Sequence, residues 1–220
     1  MPARGFRGRR GAVSRAGGAL ARFLACFLAL ALAGCDDSAG ALAPVSAGGC
    51  PVVGANLVEN GDFEAPVVTG AEYFSYAAGD SIAGWYVEAG AVDLVTPATW
   101  RAAGGDQSLD LDGSCGQGTI AQTLRADSAA AYDFCFALSG NPDGAPEEKR
   151  LEVWWGGELV DTLTVSTARF VRPRIPWTFH RYTVVARSGA VRLRFRSLTP
   201  GCYGPAIDRV VVQRAATVLP

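Results

Sequence analysis

The sequence predicts an all-β protein whose main part, residues 55–214, folds as an antiparallel β-sandwich. Short runs alternate apolar and polar residues, the period of a half-buried strand, and Ser108–Asp112 is the clearest of them. Turn residues recur about every ten positions, which is typical of sandwiches. No stretch after the N-terminal 34 residues shows the 3.6-residue period of an amphipathic helix. The length is enough for one domain with a substantial core.

Eight strands are predicted along the chain. They cover the runs Ser108–Asp112, Thr119–Leu124, Tyr132–Leu138, Leu151–Trp155, Glu158–Val165, His180–Val185, Ala190–Leu198 and Ile207–Val212. Two of these flank Gly156-Gly157, a glycine pair that predicts a tight hairpin turn.

The N-terminus has the pattern of an export signal. Six arginines and no acidic residue lie upstream of residues 23–34, which are all apolar or small. Twelve residues at about 1.5 Å each span roughly 18 Å, too short to cross a bilayer core of about 30 Å. The ending Leu32-Ala33-Gly34-Cys35 resembles a bacterial lipobox, which implies cleavage before Cys35 and lipid on that residue. The alternative is an ordinary signal peptide with a chance cysteine.

These features divide the chain into four parts. We expect a lipoprotein signal peptide at 1–34, a lipidated cysteine and flexible tether at 35–54, the sandwich at 55–214 and a tail at 215–220. Small residues, glycine and proline dominate the tether. The expected location is the bacterial cell envelope, attached to a membrane through the lipid and either periplasmic or surface-exposed.

Charge is unevenly distributed after the signal. Removing six of the 20 basic residues leaves 14 against 21 acidic residues, a net charge of about −7. Residues 36–148 hold 17 acidic and two basic residues, whereas residues 149–220 hold 12 basic and four acidic ones. A net acidic chain is not typical of a nucleic-acid-binding protein, so no nucleic-acid partner is expected.

Four cysteines remain beyond the lipid position: Cys50, Cys115, Cys135 and Cys202. Exported proteins are oxidised, so two disulfides are expected, with three pairings open. Cys202 lies in a loop rich in glycine and proline, and we favour its pairing with Cys115. Free buried thiols are the alternative, and the spacing fits no zinc site.

Several motifs resemble known families. The opening Asn56–Glu64 with Gly84-Trp85, and the closing Ile207–Val211, resemble galactose-binding-like jelly rolls such as carbohydrate-binding modules of families 4, 9 and 22. Four internal segments resemble the choice-of-anchor C family, which is related to the plant cell-wall domain of unknown function 642: Ser108–Gly113, Ile120–Leu124, Leu138–Asp143 and Ser197–Asp208. The resemblance covers about residues 56–213 and implies a galactose-binding-like jelly-roll β-sandwich. Cys115 departs from the family pattern.

The resemblance to galactose-binding-like jelly rolls also implies a structural calcium between the opening and closing strands. Glu64 and Asp208 map onto the carboxylate positions, and Asp62 and the carbonyl of Asn60 are further candidates. Calcium prefers several oxygen ligands of this kind. The alternative is that residues 60–62 form only a turn and that Asp208 caps a loop.

Tryptophans and arginines are the candidates for sugar contacts, since sugar sites combine aromatic surfaces with a few polar groups. Trp154 and Trp155 are adjacent on a strand, so one points into the core and the other outward. We expect Trp155, together with Trp100, Arg101 and Arg194, to contact the ligand. Trp85 is expected in the core, and about three of the five tryptophans are expected to be structural.

An arginine strip is the third feature. Arg192, Arg194 and Arg196 share one strand face, and Asp110 and Asp112 form a similar acidic face. One interpretation is cross-strand or surface ion pairing. The other is a basic strip for uronic acids or other anionic glycans, held by bidentate arginine contacts.

Catalysis has little support in the sequence. His180 is the single histidine, expected as a packed or partly exposed side chain, and no G-x-S-x-G motif is present. We therefore predict a lipid-anchored envelope protein with a non-catalytic carbohydrate-binding module for cell-wall or extracellular polysaccharide. The alternatives are a structural envelope lipoprotein that binds a protein partner, and a carbohydrate-active enzyme.

Overall fold

The computed structural model describes residues 49–216, which form a jelly-roll β-sandwich of two antiparallel sheets. Across the first sheet the order is β1 (Tyr73–Ala77), β4 (Ala91–Val95), β5 (Ser108–Asp110), β12 (Pro205–Arg214), β7 (Ala131–Gly140) and β10 (Thr178–Val185). Across the second sheet it is β2 (Ser81–Ile82), β3 (Trp85–Ala89), β6 (Thr119–Arg125), β11 (Ala190–Ser197), β8 (Glu148–Trp155) and β9 (Glu158–Ser166). The predicted all-β jelly-roll fold is confirmed.

All eight predicted strands are present. The first of them ends at Asp110, two residues early, because a 3-10 turn at Gly113–Cys115 follows. The predicted glycine hairpin joins β8 to β9, where Gly156 and Gly157 have φ of 57° and 91°, in the left-handed region that favours glycine. The strands β1–β4 were not predicted.

The core lies between the two sheets and follows the alternation of the strands. Inward side chains of β7 and β11 meet there, and the rings of Phe136 and Phe195 lie 4.9 Å apart in an edge-to-face arrangement. Trp85 is 1% exposed in the same cluster, as predicted. Each such side chain stabilises the fold by roughly 1.5–3 kcal/mol relative to an exposed one.

The opening motif, residues 56–64, forms no strand but lies beside β12. The amide of Leu57 donates to the carbonyl of Val212 at 2.8 Å, and the amide of Val210 donates to the carbonyl of Gly61 at 2.7 Å. The opening and closing motifs are therefore neighbours, as the resemblance implied.

Two disulfides close the fold. Cys115 is joined to Cys202, the pairing favoured from the sequence, and Cys50 is joined to Cys135. The alternative of free thiols is wrong. The first bond links the 3-10 turn to the loop before β12, and the second fixes the segment before the sandwich to β7.

The second disulfide also shortens the predicted tether, 35–54. Cys50 is 2% exposed, and the amides of residues 53 and 54 donate to the side-chain oxygen of Gln213. The side-chain nitrogen of Gln213 donates in turn to the carbonyl of Pro51. Residues 50–54 are thus part of the domain, and the boundary at residue 54 is corrected to a point before Cys50.

The predicted signal peptide, Cys35 and the rest of the tether lie outside the described residues. Between residues 49 and 216, the protein contains no helix with the length and apolar character needed to span a membrane.

Candidate functional site

The outer surface of the second sheet carries a row of side chains in register across four strands. Tyr86 on β3 pairs with Ala121 on β6, which pairs with Arg194 on β11, which pairs with Trp154 on β8. Three strand spacings of about 4.8 Å place the backbones of Tyr86 and Trp154 about 14 Å apart. We call these four residues the aromatic row.

The alternation of each strand turns this row outward. On β3 the flanking Trp85 and Val87 are buried, and Tyr86 is 44% exposed. On β11 the neighbours of Arg194 are buried core residues, and the arginine side chain is 33% exposed. Ala121 is 1% exposed, because larger neighbouring side chains cover its methyl group, so Tyr86, Arg194 and the half-buried Trp154 are the members of the row that a ligand can contact.

A column of arginines crosses this row along β11. Arg192, Arg194 and Arg196 alternate with buried residues and point outward, spaced about 6.6 Å apart. Arg192 and Arg194 both donate to Glu88 of β3, at 2.6 and 2.5 Å from their Nε atoms. Arg196 lies 3.5 Å from Glu152 of β8.

The arginines change the acidity of Glu88. Partial burial alone would raise the pKa of this carboxyl, but hydrogen bonds from Arg194 and Arg192 and their positive charges outweigh burial and lower it. Glu88 is therefore ionised near neutral pH and holds the two guanidinium groups side by side. We call the set Tyr86, Glu88, Trp154, Arg192, Arg194 and Arg196 the arginine face.

A depression of about 290 Å³ adjoins the arginine face. Arg192 and Arg194 form part of its wall, the hairpin glycines 156 and 157 form another part, and the β10–β11 loop completes it. The edge of Trp155 lies in the same depression.

Arg194 lies on the same strand face as Arg192 and Arg196, as predicted, and its contact with a ligand stays a prediction. The prediction that Trp155 points outward is wrong. Trp155 is 5% exposed, packs in the core, and donates from its indole nitrogen to the carbonyl of Val185 at 3.0 Å. The alternation of Leu151, Val153 and Trp155 puts all three inward. Trp154 is the outward member of the pair, and its indole donates to Glu152 at 3.1 Å.

The prediction of an exposed Trp100 is also wrong. Trp100 is 1% exposed, donates to the hydroxyl of Ser108 at 2.9 Å, and packs on the outer side of the first sheet with Ile175. Arg101 is exposed beside it, and its carbonyl accepts a hydrogen bond from Trp177. These two residues belong to the first sheet and are not brought together with Arg194 on the second.

The proposed calcium residues contact one loop. Glu64 accepts hydrogen bonds from the amides of Asp106 and Gln107 at 2.7 and 2.9 Å, and Asp208 accepts one from Gly104 at 3.0 Å. Asp62 is exposed. The Asn60 carbonyl accepts the indole N–H of Trp85 at 3.1 Å. Among residues 49–216 no three His, Cys, Asp or Glu side chains cluster to hold a metal, so calcium stays a prediction.

A buried polar cluster was not predicted. It consists of Asp110, Asp112, Asn141 and Lys149, all between 0% and 7% exposed, at the end of the sandwich that the Cys115–Cys202 bond closes. The expectation that the two aspartates form a surface acidic face is wrong, because loops from β7 and before β12 cover them. Asn141 donates to Asp110 at 2.7 Å, and the amide of Gly204 donates to Asp110 at 3.1 Å.

Burial controls the acidity of this cluster. It raises the pKa of Asp110 to about 6 and that of Asp112 to about 7, and it lowers the pKa of Lys149, whose ammonium donates to the carbonyl of Gly144 at 2.8 Å. Burial likewise raises the pKa of Asp208, which lies elsewhere in the first sheet, to about 7.

His180 is packed, as predicted. It is half-buried and stacks on Phe136 with ring centres 5.5 Å apart, and burial lowers its pKa.

Comparison with known proteins gives a family and several similar folds. Residues 56–213 match the family described as "Protein of unknown function (DUF642)". No curated protein matches the chain at a significant level. Similar solved structures include the C-terminal family 22 carbohydrate binding module of Clostridium thermocellum Xyn10B, with 14% identity, 77% of this chain and 100% of that chain covered, and a TM-score of 0.45.

Two further solved structures are also similar to this chain. TmCBM61 in complex with beta-1,4-galactotriose has 16% identity, covers 74% of this chain and 100% of that chain, and has a TM-score of 0.43. A family 35 carbohydrate binding module from Clostridium thermocellum has 19% identity, covers 66% and 100%, and has a TM-score of 0.40.

Proposed function

This chain belongs to the DUF642 family, and we propose that it is a non-catalytic carbohydrate-binding protein that holds cell-wall or extracellular polysaccharide on the arginine face. The observation that carries the proposal is the aromatic row, in which Tyr86 and Trp154 flank Arg194 on an open sheet surface. We further propose that the chain is related to the choice-of-anchor C family, which four of its internal segments resemble.

The chemistry of the row suits a sugar chain. A sugar ring presents a flat apolar face to an aromatic ring and hydroxyls to hydrogen-bond donors. The aromatic side chains of Tyr86 and Trp154 supply the first contact, and the N–H groups of Arg194 supply the second. Because the aromatic residues lie about 14 Å apart across the strands, the row matches several linked sugars better than a single one.

The acidic residues of the face fit binding better than catalysis. Glycoside hydrolysis requires a carboxylic acid that keeps its proton near neutral pH, and so a raised pKa. Glu88 has the opposite environment, since the arginines lower its pKa. Glu152 is hydrogen-bonded to Trp154 and paired with Arg196.

The adjacent tryptophans provide a matched test. The purified protein is screened on a glycan array, and Trp154→Ala and Trp155→Ala are then compared on the glycans retained. Trp154→Ala is expected to weaken binding at least about tenfold, or 1.4 kcal/mol, with little change in melting temperature. Trp155→Ala is expected to destabilise the fold by about 3–5 kcal/mol. Glycan binding that survives Trp154→Ala and Tyr86→Ala unchanged would contradict the site.

A second candidate function is binding to an envelope protein. Tyr73 and Phe74 are 50% and 55% exposed on β1, an edge strand of the first sheet. Exposed aromatic residues on an edge strand favour contact with another protein. The test is affinity capture with the purified protein as bait. This candidate is supported over the first if the wild type retains no glycan but captures an envelope protein, and if the Phe74→Ser variant no longer captures it.

Membrane attachment through lipid on Cys35 is a separate part of the proposal, supported by the signal-like sequence before it. It places the protein in the bacterial cell envelope, periplasmic or on the surface. Metabolic labelling with a tagged fatty acid is expected to label the wild type and not Cys35→Ser. Equal labelling of both would contradict it.

Calcium at Glu64 and Asp208 is proposed independently of the glycan site. It is supported by the two carboxylates reaching one loop, each with oxygen lone pairs beyond its present hydrogen bonds. The melting temperature is expected to rise by several degrees in calcium over chelator, and less in Glu64→Gln. Equal melting temperatures would remove the proposal.

A further inference from the structure

The charge of the arginine face is opposite to that of the rest of the domain. Residues 49–216 contain 14 basic and 19 acidic side chains, so the domain is acidic as a whole. On the outer side of β3, β6, β8 and β11, five arginines stand against three glutamates, and the net charge is positive. A positive surface on an acidic protein attracts an anionic ligand.

Glu88 neutralises only part of this charge. One carboxylate serves both Arg192 and Arg194, which leaves the three groups with one net positive charge. Arg194 donates to Glu88 from Nε and Nη2, and within the described residues its Nη1 has no acceptor. The Nη1 hydrogens are therefore available to a ligand, on a side chain that is one-third exposed.

The spacing extends this charge along a line. Arg192, Arg194 and Arg196 follow one another about 6.6 Å apart, so that the column is about 13 Å long. The depression beyond Arg192 carries a further cation, Arg187, whose pairing with Glu158 is largely exposed. A ligand on this line would meet a guanidinium group at each step, beside the aromatic contacts of Tyr86 and Trp154.

We propose that the arginine face selects an acidic polysaccharide, a chain of uronic acids whose ring carboxylates are bound by Arg194 and its neighbours. This inference rests on the proposed function and narrows it to one ligand class. The planar guanidinium fork matches a carboxylate with two parallel hydrogen bonds, which favours carboxylate over hydroxyl as the partner of Arg194. The aromatic residues hold the sugar rings, so that charge and stacking act on the same chain.

The test compares an acidic polymer with its uncharged ester and with a polymer that carries a different anionic group. The purified protein is titrated with polygalacturonate, with its fully methyl-esterified form, in which the carboxylate is masked, and with dextran sulfate. We expect binding to polygalacturonate to be at least about tenfold tighter than to the ester and the sulfate, and to weaken about tenfold or more from 50 to 500 mM salt.

Two variants locate the interaction. Arg194→Gln is expected to lose at least about tenfold in affinity for polygalacturonate and little for the ester. Glu88→Gln removes the competing carboxylate and is expected to raise affinity for polygalacturonate about threefold. The control is Arg214→Gln. Arg214 is exposed at the end of β12 in the first sheet and pairs with Asp127, so its loss is expected to leave the affinity for polygalacturonate unchanged. Melting temperatures confirm that each variant is folded.

The outcomes separate this inference from the function on which it rests. Equal binding of acid and ester, or tighter binding of a neutral glycan, overturns the acidic selectivity while carbohydrate binding stands. Equal binding of dextran sulfate, or an Arg194→Gln variant that binds like the wild type, also overturns it, because the attraction is then unspecific or located elsewhere. A folded protein that binds no polysaccharide contradicts both.

Discussion

The arginine face and the buried polar cluster both gather charged side chains, and they differ in their access to water. Arg192 and Arg194 are 38% and 33% exposed, whereas Asp112 and Lys149 are 0% exposed. Exposed charges are partly solvated and remain available to a ligand. Buried charged groups depend on the protein for their hydrogen bonds, so their substitution is expected to act on folding first.

This difference predicts opposite consequences of substitution. An exposed ion pair contributes about 0–1 kcal/mol to stability, because water competes with the partner. Removing one member of a buried polar set leaves its partners without water or protein contacts and costs about 3–5 kcal/mol. Changes in the buried polar cluster should therefore alter folding, and changes in the arginine face should alter binding.

The largest effect is expected for Asp110→Ala in the buried polar cluster. Its carboxylate accepts hydrogen bonds from Asn141 and from the amides of Asp112 and Gly204, which the change would leave without an acceptor. We expect a loss of about 3–5 kcal/mol in the free energy of unfolding, measured by chemical denaturation. The control Asp127→Ala breaks an exposed pair and should cost less than about 1 kcal/mol. Similar losses for both would remove the distinction between the regions.

The next effect is expected for the disulfide that closes the cluster. Replacing Cys115 and Cys202 together by serine releases a link across 87 positions, and a loss of about 2–4 kcal/mol is expected. Glycan affinity of the folded variant should match the wild type, because neither cysteine lies on the arginine face. Denaturation and binding measured on the same preparation check this, and a selective loss of binding would place the ligand near the cluster.

The two regions should also respond to pH with opposite sign. Burial raises the pKa of Asp110 to about 6 and of Asp112 to about 7, above the unfolded value near 3.8. Native Asp112 therefore binds its proton more tightly than the unfolded chain, so stability falls as pH rises from about 4 to 7. The lowered pKa of Glu88 acts the other way, and its contribution is lost as pH falls.

Asp112→Asn separates these contributions. Between pH 5 and pH 7.5 the wild type is expected to lose several kcal/mol in the free energy of unfolding, because the raised pKa values of Asp110, Asp112 and Asp208 act in the same direction, and the Asp112→Asn variant is expected to lose about 2–3 kcal/mol less. Denaturant titrations at both pH values measure the slope. A wild type whose stability is flat or rises over this interval would show that these carboxylates are not held protonated.

The smallest effect on stability is expected for Arg196→Gln at the end of the arginine column. The side chain is 54% exposed and lies 3.5 Å from Glu152. A change below about 1 kcal/mol is expected on denaturation. A larger loss would mean that the arginine face, too, has a structural role.

The sequence was informative where local periodicity decides the outcome. Alternation located the strands from β5 onward and placed Arg192, Arg194 and Arg196 on one face. The same rule would have separated Trp154 from Trp155, since Leu151 and Val153 already fix the inward phase of β8. In the structure Trp85 and Val87 give β3 the same alternation, with Tyr86 and Glu88 outward, but this strand was not predicted from the sequence.

Long-range packing explains what periodicity missed. Asp110 alternates with apolar residues as an exposed residue would, but loops far along the chain bring Asn141 and Gly204 over it. Trp100 lies in the loop after β4 and is covered by Ile175 from a loop 75 residues away. Strands β1–β4 are at most five residues long and are separated by turns that contain glycine. Each run is therefore too short for its alternation to identify a strand.

The most direct test of the central claim follows the five tryptophan indole N–H signals by NMR during titration with an oligosaccharide fragment of the glycan that the protein retains. If the arginine face holds the sugar, the signal of Trp154 shifts with the titration while those of Trp85 and Trp100, which are buried, stay in place. A shift confined to Trp100 or Trp177, with Trp154 unchanged, would move the ligand to the first sheet and contradict the account.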